Sequence, residues 1–202
     1  MRPIEFIFDF ASPNAYLVHK LIGGIETRTG AKFDYVPCLL GGIFKATGNQ
    51  APMMANADIP AKLAYDRLEF ARFVKANALT DFTFNPHFPV NTLLLMRGAM
   101  VAKRSGDLAK YIDAGLHHMW ESPKNMSDPD IFVAALKASG FNGQAILEAT
   151  QDPDVKAALV ANTEDAVERG AFGIPTFYVG DKMFFGKERL GQVEDAIREQ
   201  NR

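Results

Sequence analysis

Ser12 is the residue of this chain best placed to do chemistry. It stands in the stretch FDFASPNAYL, where an alternating pattern from Ile4 to Phe10 runs into Ser12-Pro13-Asn14-Ala15 and then into helical spacing. A serine followed by proline is a helix start, because the hydroxyl caps an otherwise unpaired N–H and proline has no N–H to lose at the first helical position. Free main-chain N–H groups and the positive end of the helix dipole stabilise an anion at such a start. Ser12 is therefore either an N-cap alone or an N-cap that also holds an anionic ligand.

The other chemically suggestive residues point to less. His117 and His118 are adjacent, so on a helix they project about 100° apart and make a poor ligand pair; solvation is their expected fate. Asp128 and Asp130 belong to a helix start, where Ser127 and Asp130 resemble a capping box. His87 lies among prolines with no nucleophile pattern near it, and Cys38 follows Pro37 at a strand end without a neighbouring base, which reads as a small buried hydrophobe. Met53 and Met54 either line an apolar pocket or fill loop contacts. No residues stand at metal-ligand spacing, so no metal is expected.

These residues need a scaffold, and the period of the apolar positions supplies one. Ile4, Phe6, Phe8 and Phe10 alternate against Glu5, Ile7 and Asp9, as in a strand with one well-buried face. Leu17, Leu21 and Ile25 follow at helical spacing until Gly30, and a second strand runs from Lys32 to Val36. Strand, crossover helix and strand make a right-handed parallel unit. From Gly41 to about Gly170 helix signals dominate. Pro60 precedes a helix with Leu63, Phe70, Phe73 and Val74 on one face; Thr92 opens another; Asp107 can cap a third carrying Tyr111, Ile112, Gly115, Leu116 and Met119; Asp152-Pro153 starts a long last one. Residues 48–60, rich in Gly, Asn, Met and Pro, read as a loop over the site. The tail returns to strands, Ile174 to Val179 and Lys182 to Phe185 about a Gly180-Asp181 turn, before a final helix with Leu190, Val193 and Ile197. The pattern is α/β: a thioredoxin-like fold, residues 1–40 plus 171–202, split by a large all-helical insertion, residues 41–170.

Composition narrows the class. At 202 residues the chain can bury a substantial core without disulfide staples, and its single cysteine cannot form an intramolecular bridge. A reducing cytoplasm fits this usage. No signal-peptide pattern or membrane-spanning apolar run is present in the sequence, and a formal charge of −2 without basic blocks makes nucleic acid an unexpected partner.

Five segments carry a family likeness: FDFASPNAYL at the first turn, GGIFKATGNQAP after the second strand, FPVNTLLLMRG in the insertion, GAFGIPTFYVG before the hairpin and FGKERL at the last helix. Together they resemble the thioredoxin-like group of 2-hydroxychromene-2-carboxylate isomerases and kappa-class glutathione transferases, over almost the whole chain. Related disulfide oxidoreductases carry two cysteines in the first turn, where this chain has Ser12 and Ala15. The resemblance implies glutathione as cofactor, with Ser12 bonded to its sulfur. It implies a cis-proline loop at Ile174-Pro175 whose Ile174 backbone pairs with the tripeptide, and a contact of Lys187-Glu188 with its glutamyl end. The transferases have Ser-Asp at that last place, so Lys187 is a departure; both charges could equally be solvated. Lys45 and Asn49 match positions the isomerases use for the second substrate, and Asn91 is a further candidate; as plain structure, Lys45 is an exposed charge, Asn49 a turn residue and Asn91 a helix cap. Phe10, Tyr16 and Phe44 are expected to offer a flat pocket for an aromatic ring. The relatives pair as homodimers.

The activity so implied is glutathione-dependent isomerisation of a hydroxychromene carboxylate-type compound in aromatic hydrocarbon catabolism. A kappa-like transferase would use the same residues. A binding or chaperone-like module without chemistry is compatible with the missing cysteines, and a dithiol oxidoreductase is the weakest reading because Cys38 stands alone.

Overall fold

A computed structural model describes residues 4–201, so the outermost residues of the expected 1–40 and 171–202 segments, 1–3 and 202, lie outside the described residues. Strand β1 (Ile4–Phe8), helix α1 (Pro13–Thr29) and strand β2 (Phe33–Pro37) form the expected parallel unit, with Ile4 opposite Phe33 and Phe8 opposite Pro37. Helix α1 begins where Ser12 and Pro13 predict and ends at Gly30, whose φ of 71° is the left-handed conformation glycine adopts at no steric cost. Strands β3 (Thr176–Val179) and β4 (Lys182–Phe185) form the hairpin, and the sheet order β2-β1-β3-β4 puts β1 and β3 at its centre. A 3-10 turn, Lys187–Arg189, leads into the C-terminal helix, Leu190–Gln200.

Between β2 and β3 the regular elements are helical: α2 (Leu40–Thr47), α3 (Pro52–Ala55), α4 (Pro60–Ala76), α5 (Leu93–Ser105), α6 (Leu108–Trp120), α7 (Pro129–Ala138), α8 (Gly143–Ala149) and α9 (Pro153–Glu168). The C-terminal helix is α10. This is the thioredoxin-like topology with a helical insertion, and no helix among the described residues is long and apolar enough to cross a membrane. The segment expected to be a loop, residues 48–60, contains the short α3, and Met53 and Met54 on it are exposed.

Strand β1 is buried on both faces, not one. On the first face Phe6 stacks on Phe177 at 5.2 Å and meets Tyr35 edge-on, while the Tyr35 hydroxyl reaches His19 Nδ1 of α1 at 2.8 Å. On the second, Ile7 is fully buried and Glu5 holds the Arg169 guanidinium in a two-pronged pair at 2.7 and 3.0 Å, stacked 3.8 Å over the Tyr178 ring. A central strand covered by helices on each side has no solvent face, so the period-two reading fails here for a topological reason. The ladder also ends at Phe8, and Asp9 and Phe10 leave it for the turn.

Two caps differ from expectation. Asp107 occupies the cap position of α6 but its carboxylate accepts from Ser105 Oγ, and α7 is capped by Asp128, which accepts from Asp130 N–H and Ile131 N–H, while Ser127 donates to Asn125.

His118 is buried, against the expectation of solvation. Its Nδ1 faces the Lys124 ammonium at 3.1 Å, so the ring proton sits on Nε2, 2.9 Å from both the Ala135 carbonyl and Ser139 Oγ. Burial first, then the positive charge of Lys124 and His117, pull its pKa down to about 4. The folded state therefore prefers the neutral ring. Its contribution is complete above the unfolded value near pH ~6.5 and is lost as pH falls toward 4, for about 2–3 kcal/mol. Melting temperatures measured across that window should decline in the wild type and flatten in His118→Gln, which keeps a side-chain N–H for the Ala135 carbonyl; parallel declines would refute the assignment.

Candidate active site

The site is built where β1 turns into α1. The Ser12 N–H donates to the Asp9 carbonyl at 3.1 Å, which tightens the turn, and the Ser12 side chain is only 4% exposed. Its Oγ accepts from the Ala15 N–H at 3.2 Å, as an N-cap should, and donates to the Ile174 carbonyl at 3.2 Å. Ile174-Pro175 is a cis peptide directly across from the turn. Phe88-Pro89 is also cis, with no sign of it in the sequence reading. Among the described residues neither the Asn14 N–H nor the Ile174 N–H has a hydrogen-bond partner. One hydroxyl and two open amides thus come together from α1 and the proline loop.

Asp9 lies beneath this turn, 1% exposed, and sequence reasoning passed it over as one member of an alternation. Its Oδ1 accepts from Ala11 N–H at 2.9 Å and from Thr92 Oγ1 at 2.6 Å, and its Oδ2 accepts from Leu40 N–H at 2.8 Å. Burial pushes its carboxyl up while those three donors pull it down, and burial prevails. One side chain therefore ties the turn to the first residue of α2 and to the residue just before α5. The available signal was an acid inside an apolar strand end immediately before a polar turn.

Two of the three aromatic residues expected to face a substrate, Phe10 and Tyr16, belong to the core. Phe10 is fully buried: its carbonyl accepts from Trp120 Nε1 at 2.9 Å, and its ring lies so close to Gly115 that a Cβ there would sit 2.4 Å from it. That contact explains the glycine in the apolar stripe of α6. Tyr16 is 1% exposed and donates its hydroxyl to Glu121 at 3.0 Å. Burial, then the hydrogen bond and negative charge of Glu121, raise the phenol well above its ordinary range. Phe44 alone of the three is partly exposed.

The remaining candidates divide by location. Lys187 is buried, 7% exposed, with its ammonium paired to Glu188 and lying 5.3 Å from the Phe73 ring and 5.8 Å from the Phe70 ring of α4. It is not the solvated charge of the plain reading, whereas Glu188 remains exposed. Burial would raise the Glu188 carboxyl, but Lys187, its own backbone N–H and Arg189 outweigh that and hold it below the ordinary range. Lys45 is exposed in the last turn of α2. Asn49 donates to the Phe172 carbonyl at 2.7 Å, which joins the α2–α3 connection to the segment leading into the proline loop. Asn91 Oδ1 accepts from Leu93 N–H at 3.0 Å and so supports the start of α5, next to the Thr92 that binds Asp9. Cys38 is buried, donates to the Asn162 carbonyl, and burial pushes its thiol up to about 12, which leaves it inert.

With this geometry in view, the comparisons with known proteins are specific. The DSBA-like thioredoxin domain profile matches residues 3–198. A protein of Sphingobium xenophagum named 2-hydroxychromene-2-carboxylate isomerase is 25% identical over 196 residues, covering 97% of this chain and 98% of its own. Glutathione S-transferase kappa 1 of Caenorhabditis elegans is 26% identical over 211 residues, covering 97% and 91%. A solved 2-hydroxychromene-2-carboxylate isomerase superposes with a TM-score of 0.84 at 23% identity, over 98% of this chain and 96% of that one, and so shares the fold. The protein belongs to the DSBA-like thioredoxin family, and the relatives it resembles there include the 2-hydroxychromene-2-carboxylate isomerases and the kappa-class glutathione transferases.

Proposed function

We propose that this protein is a glutathione-dependent isomerase of 2-hydroxychromene-2-carboxylate-type aromatic compounds, working in aromatic hydrocarbon catabolism. The observation that carries the reading is the Ser12 hydroxyl, buried at a helix start and 3.2 Å from the Ile174 carbonyl, with open main-chain N–H groups at Asn14 and Ile174. When bound, glutathione supplies a sulfur nucleophile that adds to a conjugated carbon, frees a double bond to rotate and leaves unchanged.

The residues suit that cofactor through an exchange of partners. Ser12 has one hydroxyl proton, now given to Ile174; it turns to the sulfur when a peptide N–H takes the Ile174 carbonyl in the manner of an added strand. The Asn14 N–H and the α1 dipole face the same negative charge. A free thiol near pKa ~8.5 is about 7% ionised at pH ~7.4, and roughly 2 kcal/mol of stabilisation lowers it by about 1.5 units, enough to make the anion the majority form. In this reading Ser12 stabilises the sulfur and does not attack carbon. Lys187 and Glu188 receive the glutamyl end. Lys45, Asn49 and Asn91 orient the second substrate, with Lys45 opposite its carboxylate. The reading includes a homodimer, for which the exposed Ile59, Tyr65 and Leu68 provide apolar surface, and a reducing cytoplasmic setting that suits a thiol cofactor.

The test is to titrate glutathione by calorimetry and then follow its concentration during turnover of the chromene carboxylate. Binding, with glutathione recovered unchanged as substrate is converted, supports the isomerase. Consumption of glutathione in step with substrate supports a kappa-like transferase instead, and no binding supports a non-catalytic module.

A further inference from the structure

Phe172 and Phe185 leave two touching rings in water beside the site. Among the described residues four large aromatic side chains are exposed, Tyr65, Phe84, Phe172 and Phe185. Only the last two are in ring contact with each other, with centroids 4.5 Å apart and each residue 39% exposed. Phe172 stands two residues before Ile174, and Phe185 ends β4 opposite Thr176, the first residue of β3. The Phe185 ring lies against Gly173, where a Cβ would sit 2.9 Å from it. The peptide from Gly173 to Ile174 carries one of the two open N–H groups of the site, so the ring borders an open donor. Two bonds fix this arrangement: the Gly186 N–H donates to the Pro175 carbonyl at 2.9 Å, and Asn49 donates to the Phe172 carbonyl at 2.7 Å. Met183, on the same face of β4 as Phe185, is 37% exposed and lengthens the apolar strip, while Phe184 on the other face packs against the core.

We propose that the Phe172–Phe185 pair is the platform on which the aromatic ring system of the second substrate stacks, and that these two side chains set the preference for it. The proposal rests on the glutathione-dependent reading above. A contiguous apolar patch beside a polar site marks a surface that a ligand covers, and small-molecule sites combine such a wall with a few polar groups. Apart from Ser12, every residue assigned to the cofactor lies within three positions of one of these rings. Ile174 and Pro175 follow Phe172, and Lys187 and Glu188 follow Phe185. A molecule that meets the cofactor's sulfur therefore has this pair as its aromatic neighbour. Phe10 and Tyr16, which flank the turn in sequence, are closed off in the core and cannot supply that wall. In the same reading a second copy of the chain covers Ile59, Tyr65 and Leu68, which leaves the rings beside Ile174 to the substrate.

Binding of two glutathione thioethers, S-methylglutathione and S-(1-naphthylmethyl)glutathione, tests this without turnover. The wild type should bind the naphthyl compound about 10-fold or more tightly than the methyl one. Phe172→Ala and Phe185→Ala should each cut that ratio about 3- to 10-fold, the loss expected when one ring of an aromatic contact is removed. Phe172→Tyr, which keeps a ring, should retain the ratio. Phe172→Leu, which fills the space without a ring face, should lose part of it, so the test does not depend on Phe185→Ala folding. A wild-type ratio near one, or a ratio unchanged in both alanine variants, overturns the proposal while leaving glutathione use intact. So does a Phe172→Ala chain that keeps the ratio but sediments differently from the wild type, which would make the pair a contact between copies of the chain. Failure of the wild type to bind glutathione and both thioethers overturns the functional reading as well.

Discussion

Ser12→Ala is expected to lower turnover about 10-fold near pH ~7.4, the loss that follows when the bound thiol returns from majority anion toward the about 7% ionised in the free cofactor. The effect should fall on the sulfur and not on the fold. As an N-cap the hydroxyl accepts one N–H, from Ala15, and loss of such a cap costs about 1 kcal/mol, too little to unfold a domain of ordinary stability. The pH profile distinguishes the two roles. Without the hydroxyl, the bound thiol should ionise closer to its free value near ~8.5, so the rising limb of the rate against pH moves upward by about a unit or more. Ser12→Thr, which keeps the hydroxyl, should retain most of the rate if its extra methyl group is accommodated beside Ile174. Wild-type turnover in Ser12→Ala, or a rate loss with an unmoved pH profile, would remove Ser12 from the chemistry.

What could be read from the chain in advance was what local rules govern. The start of α1 at Ser12-Pro13, its stop at Gly30, and the hairpin about Gly180-Asp181 each depend on a few adjacent residues, and each appears where its spacing implies. The misreadings share a different cause. Asp9 looked like the outward member of an alternation because a period of two is silent about whether the other face meets water. In a central strand it does not, so a carboxylate there must collect donors from distant segments, and Leu40 and Thr92 are 31 and 83 residues away. Phe10 and Tyr16 look like pocket walls because they flank the site turn, yet Trp120, Gly115 and Glu121, all of α6 or its end, already claim them. Lys187 follows the same logic: its neighbours in sequence suggest a solvated helix start, whereas Phe70 and Phe73 of α4 cover it. His118 is hidden by α7 while the adjacent His117 is half-exposed and pairs with Glu121, a difference that only helix packing decides.

The largest stability effect should come from Asp9. Removing its carboxylate in Asp9→Ala strands three donors at once, the Ala11 and Leu40 N–H groups and the Thr92 hydroxyl, in a site with almost no solvent contact. Each unpaired buried donor costs about 1–3 kcal/mol; allowing for water entering the space left by the side chain, the total is about 4 kcal/mol, a large share of an ordinary domain's stability. Asp9→Asn should lose less, about 2 kcal/mol, since its amide oxygen still serves one side, but in either orientation its NH2 group confronts a main-chain N–H, Ala11 or Leu40. Thr92→Val should lose least, about 1 kcal/mol, because it removes a donor and leaves both N–H bonds to the carboxylate in place. Urea midpoints should therefore fall in the order Thr92→Val, Asp9→Asn, Asp9→Ala, and an Asp9→Ala midpoint equal to wild type would show that the three donors find other partners. The ranking also bears on the site, because the Ala11 N–H is the last anchor before Ser12. If the carboxylate positions that turn, folded Asp9→Asn should bind glutathione more weakly than folded Thr92→Val, in which the Ala11 and Leu40 bonds survive.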